Sequence, residues 1–367
     1  MLASGPPNAC EKACGLIQNL SVDPDNRIRI ASSRGALRGL ANLLWTGTQK
    51  GMEDAAAAVG NMAATAESRV VGNTDGVMEG LVGVLLKGSD KGKSDAAAAL
   101  GNLAVNQGMR SCIVGMPQCL EGLCRMLHSN DARQGAEAAC CLQNLAVSTN
   151  EVKQALAGYG NILAGLIALM DSTSVPMSGW GENNEPGWQE MRQAQEDACS
   201  AVLNLVAGCS ENKRNVASAP GLIRAMVHTM GPEATDTARE YAAGLLQNLV
   251  FNHAENRELM VRHSEVLVAV SELVNSGPER AAECAAIAAV CLCKAEGGAT
   301  GLLAVRGMLE GLITCSQSSH AGRRKGGVAA LHALSLDANG RYALARNGAA
   351  REHSHPSALG LPHETVY

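Results

Sequence analysis

Six asparagines, Asn19, Asn61, Asn102, Asn144, Asn204 and Asn248, stand in one recurring phrase, an Ala-rich run closing in aliphatic-x-Asn-aliphatic. A primary amide carries two N–H donors and an acceptor oxygen, so a row of them can pair with the main chain of an extended polypeptide whatever its sequence. The same amides can instead satisfy backbone groups within their own stack. Asparagine has poor propensity inside a helix, so its recurrence needs one of these two reasons.

Carboxylates keep step with the amides. About two turns before the asparagines stand Glu11, Glu53 with Asp54, Asp95, Glu137, Glu196 with Asp197, Glu240 and Glu283. Glu53, Asp54, Asp95, Glu137, Asp197 and Glu240 form a candidate acidic rail that would favour a basic partner. The competing cause is the helix macrodipole, which favours an acid in the first turn by about 0.3–1 kcal/mol. The rail inverts at Arg323-Arg324-Lys325, a triplet that reads as a solvated helix start.

Catalytic chemistry has no foothold. The chain has no G-x-S-x-G, phosphate loop, H-E-x-x-H or dinucleotide fingerprint, and Gly92-Lys93-Ser94 is a turn before a helix. Cys140-Cys141 and Cys291-Leu292-Cys293 lack the spaced Cys/His pairs of a zinc site. No catalytic residue, metal or cofactor is expected.

The elements that must position these residues follow from the spacing. The asparagines are separated by 42, 41, 42, 60 and 44 residues, and a period of roughly 40–47 residues marks a helical solenoid. One repeat shows the pattern. Asp95–Val105 is apolar all round, as an enclosed helix should be. Asn106-Gln107-Gly108 breaks it, Met109–Val114 makes a short helix, and Gly115-Met116-Pro117 is a bend. Leu120, Leu123 and Met126-Leu127 then share one helical face. That face recurs at Leu37/Leu40/Leu43, Met78/Leu81/Val84 and Leu267/Val270/Leu273, with glycine before it at Gly35, Gly76, Gly221 and Gly307. Cys291 and Ala333 continue the period without the amide.

Composition narrows the class. A net charge of −5 argues against a nucleic-acid partner. Thirteen cysteines, an odd number, stand largely where other repeats have Ala or Val, as at Cys140, Cys199, Cys284 and Cys291. They read as small buried hydrophobes in a reducing compartment, cytoplasmic or nuclear. No signal peptide or intrinsic membrane span is evident.

The A-x-x-L-x-N-L-A phrase, the Gly bend and the three-helix repeat resemble the armadillo-repeat family; HEAT repeats normally have two helices and lack the Asn phrase. The resemblance covers about residues 9–350. It implies an all-α, right-handed α-solenoid of about seven to eight armadillo-type three-helix repeats, the terminal ones incomplete. In that family the third helices line a concave groove, into which the six asparagines would point as a ladder. Import receptors of the importin-alpha type place Trp one turn before the amide. Here that position holds Gly15, Ala57, Ala98, Cys140, Ser200 and Gly244, so a nuclear import adaptor is not expected.

What the resemblance implies instead is a non-catalytic, monomeric protein–protein interaction scaffold whose partner is an extended or helical segment of basic character. The alternative is the substrate-recruiting armadillo portion of a U-box type ubiquitin ligase. A vacuolar membrane-associated armadillo protein would need an acylation signal that Met1-Leu2 does not provide.

The long step contains an inserted acidic loop over 171–192 with Trp180 and Trp188. These indoles either anchor a partner, as Trp does at binding hot spots, or pack on their own solenoid. Residues 1–8 are expected to be disordered, and 351–367 to be an irregular His/Pro-containing tail. The repeats begin at a third helix and the last one lacks its Leu-x-x-Leu helix, as expected of a fragment of a longer repeat protein.

Overall fold

The structure, a computed structural model, describes residues 5–65, 68–171 and 186–347. Among these residues there are 23 helices and no strand. A long helix α1 (Pro7–Leu20) is followed by seven triplets of short, medium and long helices. They are α2 (Pro24–Ala31), α3 (Arg34–Thr46) and α4 (Gln49–Ala63); α5 (Ser68–Gly72), α6 (Val77–Lys87) and α7 (Asp90–Ala104); and α8 (Gln107–Val114), α9 (Pro117–Leu127) and α10 (Ala132–Ala146). Next come α11 (Asn150–Gly158), α12 (Ile162–Met170) and α13 (Pro186–Val206), then α14 (Ser210–Ala217), α15 (Leu222–Met230) and α16 (Asp236–Val250). The last triplets are α17 (Ala254–Val261), α18 (Ser264–Ser276) and α19 (Glu279–Leu292), and α20 (Gly298–Ala304), α21 (Met308–Ser316) and α22 (Ala321–Ser335), before a final α23 (Ala338–Arg346).

The chain divides into two compact units, Met1–Leu169 with Met177–Ala201, and Met170–Pro176 with Val202–Tyr367. In the first, the long helices α1, α4, α7 and α10 pack each on the next, and α3, α6 and α9 form a second layer against them. Ala55, Ala56, Ala58 and Val59 on α4, and Ala96, Ala97, Ala99 and Leu100 on α7, are fully buried. Small side chains permit close approach: a Cβ added at Gly101 would lie 3.2 Å from the Cα of Cys141 on α10. The medium helices contribute the bulk of the core through Leu37, Leu40, Leu81, Leu85, Leu123 and Met126. In the second unit α16, α19 and α22 pack in order, with α15, α18 and α21 against them.

Caps set the helix starts. Ser89 Oγ accepts from Gly92 N at 3.1 Å, so α7 begins at Asp90 and not at Asp95 as the sequence suggests. Thr48 and Asp131 cap α4 and α10 in the same way. Gly76, Gly221 and Gly307 open α6, α15 and α21 with φ of +82°, +81° and +82°, a conformation that costs other residues strain. Gly35, expected to match them, lies inside α3, whose cap is Ser33.

Two expected boundaries move. Helix α13 starts at Pro186, a residue suited to a first helical position, so 186–192 is helix and not part of an inserted loop. Helix α1 starts at Pro7, within the segment expected to be disordered. Residues 172–185, Trp180 among them, and the tail 351–367 lie outside the described residues.

None of the thirteen cysteines is in a disulfide, and eight, including Cys199 and Cys291, are buried. Cys140 and Cys284 are half-buried. Burial pushes the Cys14, Cys119 and Cys140 thiols up to about 12, so they pack as small apolar groups. No single described helix is long and apolar enough to cross a membrane.

Candidate functional site

In the first unit the recurring amides reach from each long helix to the one before. Asn102 donates through Nδ2 to the carbonyl oxygen of Gly60 at 3.0 Å, and Asn144 to that of Gly101 at 3.1 Å. Asn61 donates to Ser21 Oγ at 3.0 Å. Asn61, Asn102 and Asn144 are half-buried, and Asn19 on α1 is exposed. At Asn102 and Asn144 one N–H is used; the second N–H and the oxygen have no partner among the described residues. In the second unit Asn248 turns onto its own helix, donating to Gly244 O at 2.9 Å, and Asn204 is half-buried.

The carboxylates separate into two kinds. Asp54, Asp95, Glu137 and Asp197 each stand seven residues before an asparagine, which places acid and amide on one helical face. None of Asp54, Asp95 and Glu137 is in the first turn of its helix. The macrodipole, which fades within that turn, therefore does not account for them. Glu53 serves packing instead: the hydroxyl of Ser89 donates to it at 2.5 Å, as Thr48 does to Glu11. Each bond ties the cap of one long helix to the long helix before it. Glu240 is half-buried in α16, where Asp236 takes the first turn.

Charge compensation along the row is uneven. Asp54 pairs with Lys50 at 2.6 Å, and Asp95 with Lys91 at 2.6 Å and Arg133 at 4.0 Å. Glu137 has no ion pair among the described residues. Burial raises its pKa, Arg133 opposes the shift, and Asp95, Asp197 and Glu190 add to it. Burial lifts Asp197 to about 6, against a hydrogen bond from Gln193 at 3.0 Å and with Glu196 adding to the rise. Carboxylates whose ionised form is disfavoured by burial are stabilised by an arriving cation.

A further set escaped the sequence reading. Eight residues after Asn19 and Asn102 stand Arg27 and Arg110, each on the short helix, α2 or α8, that follows the long helix carrying the amide. Arg27 donates to the carbonyls of Ser21 and Val22, both at 3.0 Å. Arg110 donates to Ala104 at 2.7 Å, Val105 at 3.1 Å, and also Val147 one repeat on. Arg341 does the same for Ser335 and Leu336 in the second unit. These guanidinium groups satisfy carbonyls that a helix end leaves orphaned. The signal available in the sequence was an arginine at constant offset from the Asn phrase.

Four of the carbonyls they hold, those of Val22, Val105, Val147 and Leu336, belong to exposed apolar residues. Three positions after an asparagine, Val22, Val105 and Val147 are 66%, 64% and 50% exposed. Of the two tryptophans expected as loop anchors, Trp188 falls in α13 with its side chain outside the described residues, as is the whole of Trp180.

Neither a protein-family model nor a curated protein matches the sequence. Solved structures do match the fold. An engineered protein aligns over 95% of this chain and 80% of its own length with a TM-score of 0.80 at 20% identity. Computationally designed armadillo repeat proteins for modular peptide recognition align over 69% of this chain and 98% of theirs, with a TM-score of 0.58 at 19% identity. A designed armadillo repeat protein in complex with the peptide (KR)4 aligns over 66% of this chain and 92% of its own, with a TM-score of 0.53 at 20% identity. The chain therefore has the armadillo-like repeat fold that the Asn phrase and three-helix period imply.

Proposed function

We propose that this protein is a non-catalytic scaffold that binds an extended basic peptide across the long helices of its first unit. Asn102 and Asn144 hold the peptide main chain, while Asp95, Glu137 and Asp197 take its cationic side chains. The observation that carries the reading is that half-buried Glu137 and buried Asp197 stand in step with the amide row, with no ion pair for Glu137 among the described residues and both carboxyls raised by burial. The similar designed protein that holds (KR)4 supports the same choice of ligand. Thirteen cysteines without a disulfide suit a cytoplasmic or nuclear setting for this chain.

Fluorescence anisotropy with a labelled alternating Lys/Arg octapeptide tests it. Saturable binding is expected, weakened about tenfold or more by Glu137→Gln with Asp197→Asn at unchanged helicity, since lost charged pairs are worth more than 1.4 kcal/mol. Equal binding of a Glu/Asp octapeptide, or no effect of the double substitution, would sink the reading.

A further inference from the structure

The acids and amides leave one surface row unexplained. Val22, Val105 and Val147 stand three residues beyond Asn19, Asn102 and Asn144 and are exposed, as Ala64 is beyond Asn61. Single exposed hydrophobes are ordinary and need no cause, but these recur with the repeat. They also have fixed positions. The guanidinium of Arg110 binds the carbonyls of both Val105 and Val147, which sets the spacing of two neighbouring apolar side chains.

Each long helix of the first unit from α4 to α10 thus carries an acid and an amide on one face, followed at its C-cap by an exposed apolar residue, Ala64, Val105 or Val147. At 1.5 Å rise per residue the acid lies about 10.5 Å to one side of the amide and the apolar residue about 4.5 Å to the other. This asymmetry has a chemical match. An extended chain sends alternate side chains in opposite directions. With its main chain over the amides, long basic side chains would face the distant acids and short aliphatic ones the nearby valines. A helical ligand does not fit as well, because its own backbone bonds leave no main-chain groups for Asn102 and Asn144 to bind.

Resting on the basic-peptide reading above, we infer that the ligand is a segment alternating Lys or Arg with aliphatic residues, its aliphatic edge seated on Val105 and Val147. The charge complementarity of Asp95 and Glu137 fixes which edge faces which row.

The test uses the full chain and three labelled octapeptides in anisotropy titrations. Two alternate, (Lys-Val)4 and (Lys-Ser)4, and the third is a block peptide in which a run of lysines precedes an equal run of valines. The (Lys-Val)4 peptide should bind roughly tenfold more tightly than (Lys-Ser)4, as burial of several aliphatic side chains predicts. It should also outbind the block peptide. Val105→Ser with Val147→Ser should erase the advantage over (Lys-Ser)4 and leave an alternating Lys/Arg peptide unaffected, with thermal melts confirming the fold. Equal affinity of (Lys-Val)4 and (Lys-Ser)4, equal affinity of the block peptide, or a uniform loss for every peptide in the double variant would overturn this inference alone. Failure of every basic peptide to bind would overturn it together with the proposed function.

Discussion

Asn144 donates an amide N–H to the carbonyl oxygen of Gly101, 3.1 Å away on the preceding long helix. Gly101 is itself the residue before the preceding asparagine, and Gly60 likewise accepts from Asn102, so within the first unit one copy of the phrase supplies the acceptor for the next. Replacing Asn144 by Ala removes the bond and leaves a buried carbonyl with less satisfaction, a cost of about 1–3 kcal/mol. Asn144→Asp, which offers no donor and sets a carboxylate against a carbonyl, should cost more at neutral pH and less in acid, where the protonated form can donate. Urea unfolding followed by circular dichroism at pH 7 and pH 4 checks both; an Ala variant as stable as the parent would remove the amide's structural role.

Close helix contact makes two glycines respond oppositely to one added methyl group. A Cβ at Gly60 would sit 3.5 Å from Ala99 Cα, ordinary contact, whereas at Gly327 it would sit 2.5 Å from Ser316 N and 2.8 Å from Cys315 C. Gly60→Ala should therefore stabilise by up to about 1 kcal/mol through helix propensity. Gly327→Ala must shift backbone and should cost about 1–3 kcal/mol as overpacking. Thermal melts of the two variants should move in opposite directions, and parallel shifts would contradict the packing.

The repeat period was legible because each long helix must present the same Ala-rich surface to an identical neighbour, so the pattern is written again every 41–44 residues except across the insert. The amide row was legible for the same reason, but its hydrogen-bond partners were not: the carbonyl of Gly60 is invisible as a side-chain type. Helix starts were misread at Asp95 because the first turn of α7, Asp90–Lys93, is polar and Ser89 caps it. That shift matters, since it removes the macrodipole as the reason for the acids. The roles of Glu11 and Glu53 depend on caps one repeat away, Thr48 and Ser89, a contact no local window reveals.

Acidity of the row gives binding a pH dependence of definite sign. Asp197 titrates near 6 in the free protein, raised by burial from 3.8. Because the ionised form attracts the basic peptide, affinity should rise between pH 5 and pH 7 and level off above. Binding at pH 6 should release protons, measurable by calorimetry in buffers of different ionisation enthalpy. Folding carries the reverse trend: a carboxyl whose folded pKa exceeds its unfolded value costs stability once ionised, so this contribution is most favourable below about pH 4 and is lost as pH rises through 6. Asp197→Asn should flatten both profiles to the extent that this group dominates them. Affinity that falls from pH 5 to 7 would contradict the assignment of the carboxylates to the cation.

Arg110 makes the most localised prediction. Its guanidinium serves Ala104 and Val105 at the end of the preceding long helix α7 and Val147 at the end of α10, the long helix of its own triplet, and burial lowers its pKa without discharging it. Three carbonyls need a planar fork; an ammonium on a flexible stem cannot reach all three at once. Arg110→Ala should cost about 1.5–3 kcal/mol, the range for hydrogen bonds to a charged group, and Arg110→Lys should recover less than half of it. The loss should be local, because repeat stacks couple mainly through neighbours. Hydrogen exchange should therefore quicken at the amides of Val105–Met109 and Val147–Asn150, while those of α16 and α19 keep their protection. Exchange that quickens evenly along the chain, or full recovery by lysine, would show that the fork does not hold these helix ends.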